Sequence, residues 1–323
     1  SLWVEHGRTA TVSVAQVGAT KVIATNGKPD GSVSTAQGVT GPALDELTQA
    51  MCAWLPMAYH PSPKNVAMVG MGTGMSAHFL MADPRVERLD LVEIEPKMFE
   101  LSKRLRPVNE RAFTDPRVVN HIEDARTFLA RSGRKYDVII SEPSNPWVSG
   151  VSSLFTDEFY RDMQRNLAPG GVLLQWVQAY EFNDSLFASI LQSLSSVYPH
   201  VKVHAATQTS DLIFIASMQP LSEHMNALST DMVSRDLKHL RQNPSTMLTT
   251  SLLGTDRLLG LMTGFSPPNS EFAPFVDLHA ERAMFAQERV AVLNAFVDKD
   301  VPLQRWLERG WDSIAVRKNQ FRA

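Results

Sequence analysis

Residues 65–95 read NVAMVGMGTGMSAHFLMADPRVERLDLVEIE: an apolar strand running into three alternate glycines, a short helix, and a second strand closing on acidic residues. NVAMV is apolar on both of its alternating sides, the pattern of a strand covered on both faces. Gly70, Gly72 and Gly74 fall at the strand-to-helix turn, where backbone without a Cβ can adopt positive φ and approach a ligand closely. Thr73 lies within that turn. Glu93 ends the second strand roughly 20 residues on, where a carboxylate can hold both hydroxyls of a ribose. The competing reading is a solvated carboxylate at a strand end.

The same alternation continues on both sides. RVVNHIED with ARTFLARS, YDVIISE with TDEFYRDMQRNLA, and GVLLQWVQ with NDSLFASILQSLSSVYP are further strand–helix units. VKVHAAT and DLIFIAS follow, joined by QTS, and are expected to pair as an antiparallel hairpin at the sheet edge. Repeated βα units with apolar strands imply an α/β, Rossmann-like doubly wound domain over residues 61–217. Residues 1–60 hold period-two runs broken by VGAT and NGKPDG, read as a small β-hairpin domain. They end in the helix ALDELTQAMCAWLPMAY, with Leu44, Leu47, Met51 and Leu55 spaced for one apolar face. Residues 218–323 are more polar, with Pro-containing loops, and are expected to form a helical C-terminal extension.

Bulk properties narrow the function classes. A chain of 323 residues, 44% hydrophobic and 20% charged, has the composition of a folded globular protein. A net charge of −3 gives no electrostatic footing for nucleic acid or an anionic membrane. Cys52 is the single cysteine, which excludes an internal disulfide and a Cys-based zinc site. His60, His78 and His121 lack metal-ligand spacing, so no metal is expected. No apolar run has the length of a membrane span. The opening SLWVEHG carries neither Met nor a signal peptide, as a piece trimmed from a longer protein would.

Two further acidic positions follow strand ends. In HIEDARTFL, Asp124 sits beside the same crevice as Glu93 and can accept from an adenine amino group; equally, it can be the N-cap of the next helix. In IISEPSNPW, residues 139–147, Pro143 and Pro146 stop the fourth strand. That corner is either a plain turn or an active-site loop that aims Glu142 and Trp147 into the cleft.

The order VGMGTG, DLVEIEP, EDAR, YDVIISEPSNPW, LFTDEFY and LAPGGVLLQW resembles the spermidine/spermine synthase family, the aminopropyltransferases, over roughly residues 5–217. NGKPDGS, DELTQ and EPSNPWVSG are similar to a bacterial subset often fused to membrane-embedded segments. The resemblance implies a class I methyltransferase-like fold behind a small β domain. It implies decarboxylated S-adenosylmethionine as donor, with S-adenosylmethionine as near relative, no metal, a small amine acceptor and a homodimer. The cytoplasm is the implied location, with a membrane tether if the chain is a fragment. By correspondence Glu93 holds the ribose, Asp124 and Ala125 the adenine, and Gln49 and the glycine turn complete the donor site. Glu142 stands at the Asp that takes a proton from the attacking amine. Asp30, Asn145, Trp147, Gln175, Gln178 and Tyr180 are the implied acceptor residues.

Departures from the pattern are as informative. Thr73 replaces the Asp that binds the donor's aminopropyl ammonium, and Asn145 replaces the second Asp of D-x-x-D-P. Thr48, Ala50 and Trp54 stand for the family's Tyr, Glu and His on the first helix, and Asp30 for a Gln of the β domain. The site is therefore expected to have lost negative charge, with Asp30 and Glu181 as candidates to restore it. Three readings remain: alkyl transfer to an amine, methyl transfer from intact S-adenosylmethionine, and a catalytically inactive nucleoside sensor.

Overall fold

The computed structural model describes residues 2–36, 42–206, 211–221, 249–253, 264–292 and 297–302, with 236, 240, 260 and 262 as isolated positions. β1 (Leu2–His6), β2 (Thr11–Val17), β3 (Thr20–Thr25) and β4 (Lys28–Ser34) form a four-stranded antiparallel meander in chain order. The β3–β4 turn uses Asn26 and Gly27, with φ of 51° and 83°, the left-handed pair that matches strand twist in a two-residue hairpin. Lys28–Asp30, read from sequence as loop, therefore belong to β4.

α1 (Leu44–Tyr59) starts where Glu46 accepts from the backbone N–H of Ala43 (3.2 Å) and of Ser34 (2.8 Å), stitching the helix to β4. Every residue from Glu46 to Tyr59 is buried, because the helix lies between the meander and the main sheet. The expected single apolar face is thus replaced by burial all round. Leu44, counted as core, is 63% exposed because it stands at the first turn before the helix enters that gap.

The main sheet is built from β5 (Asn65–Val69), β6 (Arg88–Glu93), β7 (Val118–Ile122), β8 (Tyr136–Ser141), β9 (Leu167–Gln178), β10 (His200–Ala206), β11 (Asp211–Ser217), β12 (Thr249–Leu253) and β13 (Val297–Pro302). Their order is β13-β12-β10-β11-β9-β8-β5-β6-β7. From β9 to β7 all neighbours are parallel, whereas β11 runs antiparallel between β9 and β10. The expected β10–β11 hairpin exists but is not an edge: β11 is interior, and β12 covers the far side of β10. A bare edge strand exposes a row of unpaired backbone groups, and β12 and β13 satisfy that row. The described part of residues 218–323 is therefore not all helix, since it adds these two strands beside one helix, α8 (Phe275–Phe285).

Helices α2 (Met75–Leu80), α3 (Pro96–Ser102), α4 (Arg111–Thr114), α5 (Ala125–Ser132), α6 (Asp157–Asn166) and α7 (Asp184–Val197) complete the layers. One apolar core joins α1 and α2 to Met68, Leu89, Ile140 and Leu174; the other lies under α5–α8 with Ile139, Leu173 and Phe214. The chain winds outward from β5 in one direction to β7 and in the other through β8 to β9. Its reversal leaves a crevice at the carboxyl ends of β5 and β8, where such sheets bind ligands.

Candidate active site

That crevice opens into a cavity of about 910 Å³. Its floor is the contact between two loops. Glu142 N–H donates to the Val69 carbonyl (3.0 Å), and Gly70 N–H to the Val92 carbonyl (2.9 Å). Gly70 has φ of 98°, and a Cβ there would stand 2.3 Å from the Glu142 carbonyl oxygen. Only glycine lets the two loops meet.

On the nucleoside side, Glu93 accepts from Met71 N–H (3.0 Å) and Glu95 N–H (2.9 Å), so the carboxylate at the tip of β6 also ties down the glycine turn. Burial raises its pKa, backbone N–H groups of Glu95, Met71 and Ile94 oppose that, and the charge of Asp30 adds to the rise. Asp124 fulfils its capping reading, accepting from Thr127 N–H (2.9 Å) through Oδ1, and still lines the cavity with Ala125. Thr73 donates to Gln49 (3.0 Å), and both flank Gly31. Asp30 accepts from Lys28 (2.9 Å) and Ser144 (2.8 Å) through Oδ1, while its buried Oδ2 has no partner.

The other side collects acids. Glu142 is pushed up to about 7 by burial, against a hydrogen bond from Ser76, with the charge of Asp211 adding to the rise. Asp211, at the start of β11, accepts from Thr48 Oγ1 (2.7 Å) and Trp176 Nε1 (3.2 Å) and is pushed up to about 6, chiefly by burial. Asp45 lines the same wall and accepts from Ser32 at 2.5 Å. The negative charge expected to be lost is thus present, supplied by Asp211 and Asp45. Glu181, by contrast, lies outside the cavity lining.

The structure brings together Asp30, Gln49, Gly70, Gly72, Thr73, Glu93, Asp124, Ala125, Glu142, Asn145 and Tyr180. Tyr180 lies beside the Asn145 amide without a hydrogen bond of good geometry. Four expected residues lie off the lining. Gly74 caps α2 in a left-handed turn. Trp147, partly buried, packs against the core under α5–α8 and not on the cavity, so the stiff corner aims the glutamate but not the tryptophan at the cleft. Gln175 donates to the Trp176 carbonyl (2.9 Å), so its amide serves the backbone of β9. Gln178 is fully buried, with neither amide atom hydrogen-bonded.

Asp45, Ser76, Asp211 and Arg289 reach the cavity without having been singled out from sequence. For Asp211 a signal existed: a carboxylate heading the otherwise apolar run DLIFIAS. His78 and His204 are buried and held neutral, down to about 3, chiefly by burial. Among the described residues no group of His, Cys, Asp or Glu is placed to hold a metal ion, and no helix is long and apolar enough to cross a membrane.

Comparison with known proteins gives the context. The model of the spermine/spermidine synthase domain matches residues 46–223, more than half of the chain. This chain belongs to the spermine/spermidine synthase family. Similar family members include polyamine aminopropyltransferases from Nitrosomonas europaea, 33% identical over 46% of each chain, and Bacillus subtilis, 29% identical over 55% of this chain and 62% of that one. The chain spans about half the length of the curated relatives it matches. A spermidine synthase solved with the transition-state analogue AdoDATO shares the fold, with a TM-score of 0.59 at 18% identity, covering 80% of this chain and 88% of that one. A probable spermidine synthase from Corynebacterium glutamicum does likewise, with a TM-score of 0.60 at 17% identity over 83% and 96%.

Proposed function

We propose that this family member transfers an alkyl group, aminopropyl first among the candidates, from an adenosyl sulfonium donor to a small amine, releasing methylthioadenosine. The observation that carries the reading is one cavity in which the glycine turn, Glu93 and Asp124 adjoin a half-buried carboxylate, Glu142, raised to about 7. Ionised carboxylates offer about four acceptor positions, so Glu93 retains capacity for ribose hydroxyls beyond its two backbone bonds. Asp124 keeps Oδ2 for the adenine side.

The reaction is a displacement. The amine lone pair forms the new N–C bond at the carbon next to sulfur, and the C–S pair leaves with sulfur as a neutral thioether. The proton lost from nitrogen passes to the Glu142 carboxylate. Raised basicity suits that task, because a base closer in pKa to the ammonium takes the proton with a smaller penalty. Holding both reactants in one cavity supplies the in-line approach.

Asp30 bears on which form of the donor fits. Thr73 stands where the family pattern has an acid and is engaged with Gln49, but Gly31 touches both and Asp30 precedes it. Lys28 balances the charge of Asp30, and the buried, unpartnered Oδ2 offers that region a hydrogen-bond acceptor. That oxygen can accept from an aminopropyl ammonium and offers no donor to the carboxylate of intact S-adenosylmethionine. Calorimetric titration tests this: decarboxylated S-adenosylmethionine and methylthioadenosine should bind more tightly than S-adenosylmethionine. Tighter binding of the carboxylated form would instead favour methyl transfer, and binding without turnover of any amine would favour the sensor.

A further inference from the structure

We infer that Arg289 binds a carboxylate carried by the acceptor, so that the substrate is an amine that is also an acid, its amine at Glu142 and its carboxylate at the cavity mouth. This names a substrate class for the alkyl-transfer reading above and rests on that reading. Arg289 lies outside the segment that matches the family domain, residues 46–223, yet it lines the cavity. Backbone puts it there. After α8, Gln287 takes φ of 51° and turns the chain back against the loop that follows β9. Phe182 N–H donates to the Glu288 carbonyl (3.1 Å), Val290 N–H donates to the Ala179 carbonyl (3.1 Å), and Arg289 itself bridges to Tyr180. Asp184 then accepts from the N–H groups of Ala291 (2.8 Å) and Val292 (3.1 Å). A residue whose backbone is pinned on both flanks loses less freedom when its side chain takes up a ligand.

The charges around the cavity give this cation a use. Lys28 and Arg289 are the two cations on the lining, and Lys28 is committed to Asp30 at 2.9 Å. Arg289 is exposed and forms no ion pair among the described residues. Nor does it serve as counter-ion to the acids further in. The groups that oppose the raised pKa of Glu142 and Asp211 are the hydroxyls of Ser76 and Thr48 and the Trp176 indole, all neutral. A guanidinium presents its N–H donors as a planar fork, which meets a carboxylate through two parallel bonds. The cavity, with acids inside and a cation at its mouth, is complementary to a molecule positive at one end and negative at the other. A plain alkylamine leaves Arg289 unmatched, and a diamine brings like charge toward it. Room is available, since about 910 Å³ stands near the top of the roughly 300–1,000 Å³ that drug-sized ligands fill.

The experiment supplies decarboxylated S-adenosylmethionine and a length series of ω-aminocarboxylates, n-alkylamines and α,ω-diamines to wild type, Arg289→Gln and Arg289→Lys. The wild type should favour the aminocarboxylate of best-fitting length over the matching alkylamine and diamine in kcat/KM. Arg289→Gln should reduce that preference by about tenfold or more, through KM. Arg289→Lys should recover part of it, as a point charge without the fork. A wild type that prefers the alkylamine or the diamine would overturn the assignment, and so would an unchanged preference in Arg289→Gln. An equal loss on every acceptor would overturn it as well, because Arg289 would then only brace the loop that carries Tyr180. If no acceptor is alkylated, the proposed function fails, and calorimetry with methylthioadenosine present still decides the assignment. The aminocarboxylate should then bind the wild type about tenfold more tightly than Arg289→Gln; equal binding sinks the idea. Should a variant not fold, the wild-type preference between aminocarboxylate and alkylamine decides alone.

Discussion

Glu142 shows how one side chain can be tuned by position. Its backbone is clamped against Gly70 while its carboxyl lies half-buried between Ser76 and the field of Asp211. Burial and a like charge both favour the protonated form, and the Ser76 hydrogen bond opposes them. As the proposed base, Glu142 has to be ionised, so kcat/KM should fall as pH drops through about 7. Removing the neighbouring charge in Asp211→Asn should move that limb to lower pH, which a pH–rate profile reads directly. Glu142→Gln should lower kcat by about 10²–10³-fold while methylthioadenosine binding by calorimetry stays intact. Full activity in that variant would remove Glu142 from the chemistry. The carboxylate was legible in sequence because two prolines mark its corner as rigid. Asp211 was marked only as an acid heading an apolar run; its place in the cavity follows from β11 being laid beside Trp176 of β9.

The glycine turn and the β8 corner function as one element. Their separation is set by the missing Cβ of Gly70, so Gly70→Ala should force the loops apart and strain a φ of 98°. The expected cost is about 1–3 kcal/mol of stability by denaturant titration, with nucleoside affinity falling as well. The strand–helix alternation, and with it the converging tips of β5, β6, β7 and β8, could be read from sequence because apolar periodicity is a local property. The insertion of β11 between β9 and β10 could not. Local pattern pairs β11 with its hairpin neighbour but does not say what lies on its other side. The carboxy-terminal strands were misread as helix for a related reason: a short polar strand is stabilised by the edge it covers, not by its own composition. The all-round burial of α1 likewise depends on two sheets closing over it.

Across the whole molecule, one glutamate joins the meander to the nucleoside side. Glu95 Oε2 accepts from Thr9 N–H (2.6 Å), Thr9 Oγ1 (2.7 Å) and Ala10 N–H (3.1 Å), while Oε1 caps α3 through Lys97 N–H (2.9 Å). Glu95→Ala should cost about 1–3 kcal/mol and speed hydrogen exchange in residues 2–34 with little change in β5–β9. Unaltered exchange there would show that the meander is held by other contacts. Acid stability follows from the two buried histidines. Their folded pKa of about 3 lies below the unfolded value of 6.5, so the unfolded chain binds more protons between those limits. Stability from this source is complete above about 6.5 and is lost progressively as pH falls toward 3. His204→Gln should flatten that slope in denaturation midpoints measured from pH 7 to 4.

β11 is paired along its full length on both sides, Asp211 to Gln178 on one flank and to Ala206 on the other. A slip of a single residue would turn every β11 side chain to the opposite face, carrying the acid out of the pocket and Ile213 and Ile215 out of their core. Register on β11 therefore fixes two things at once: which of its apolar faces meets each core, and whether a carboxylate stands at the cleft.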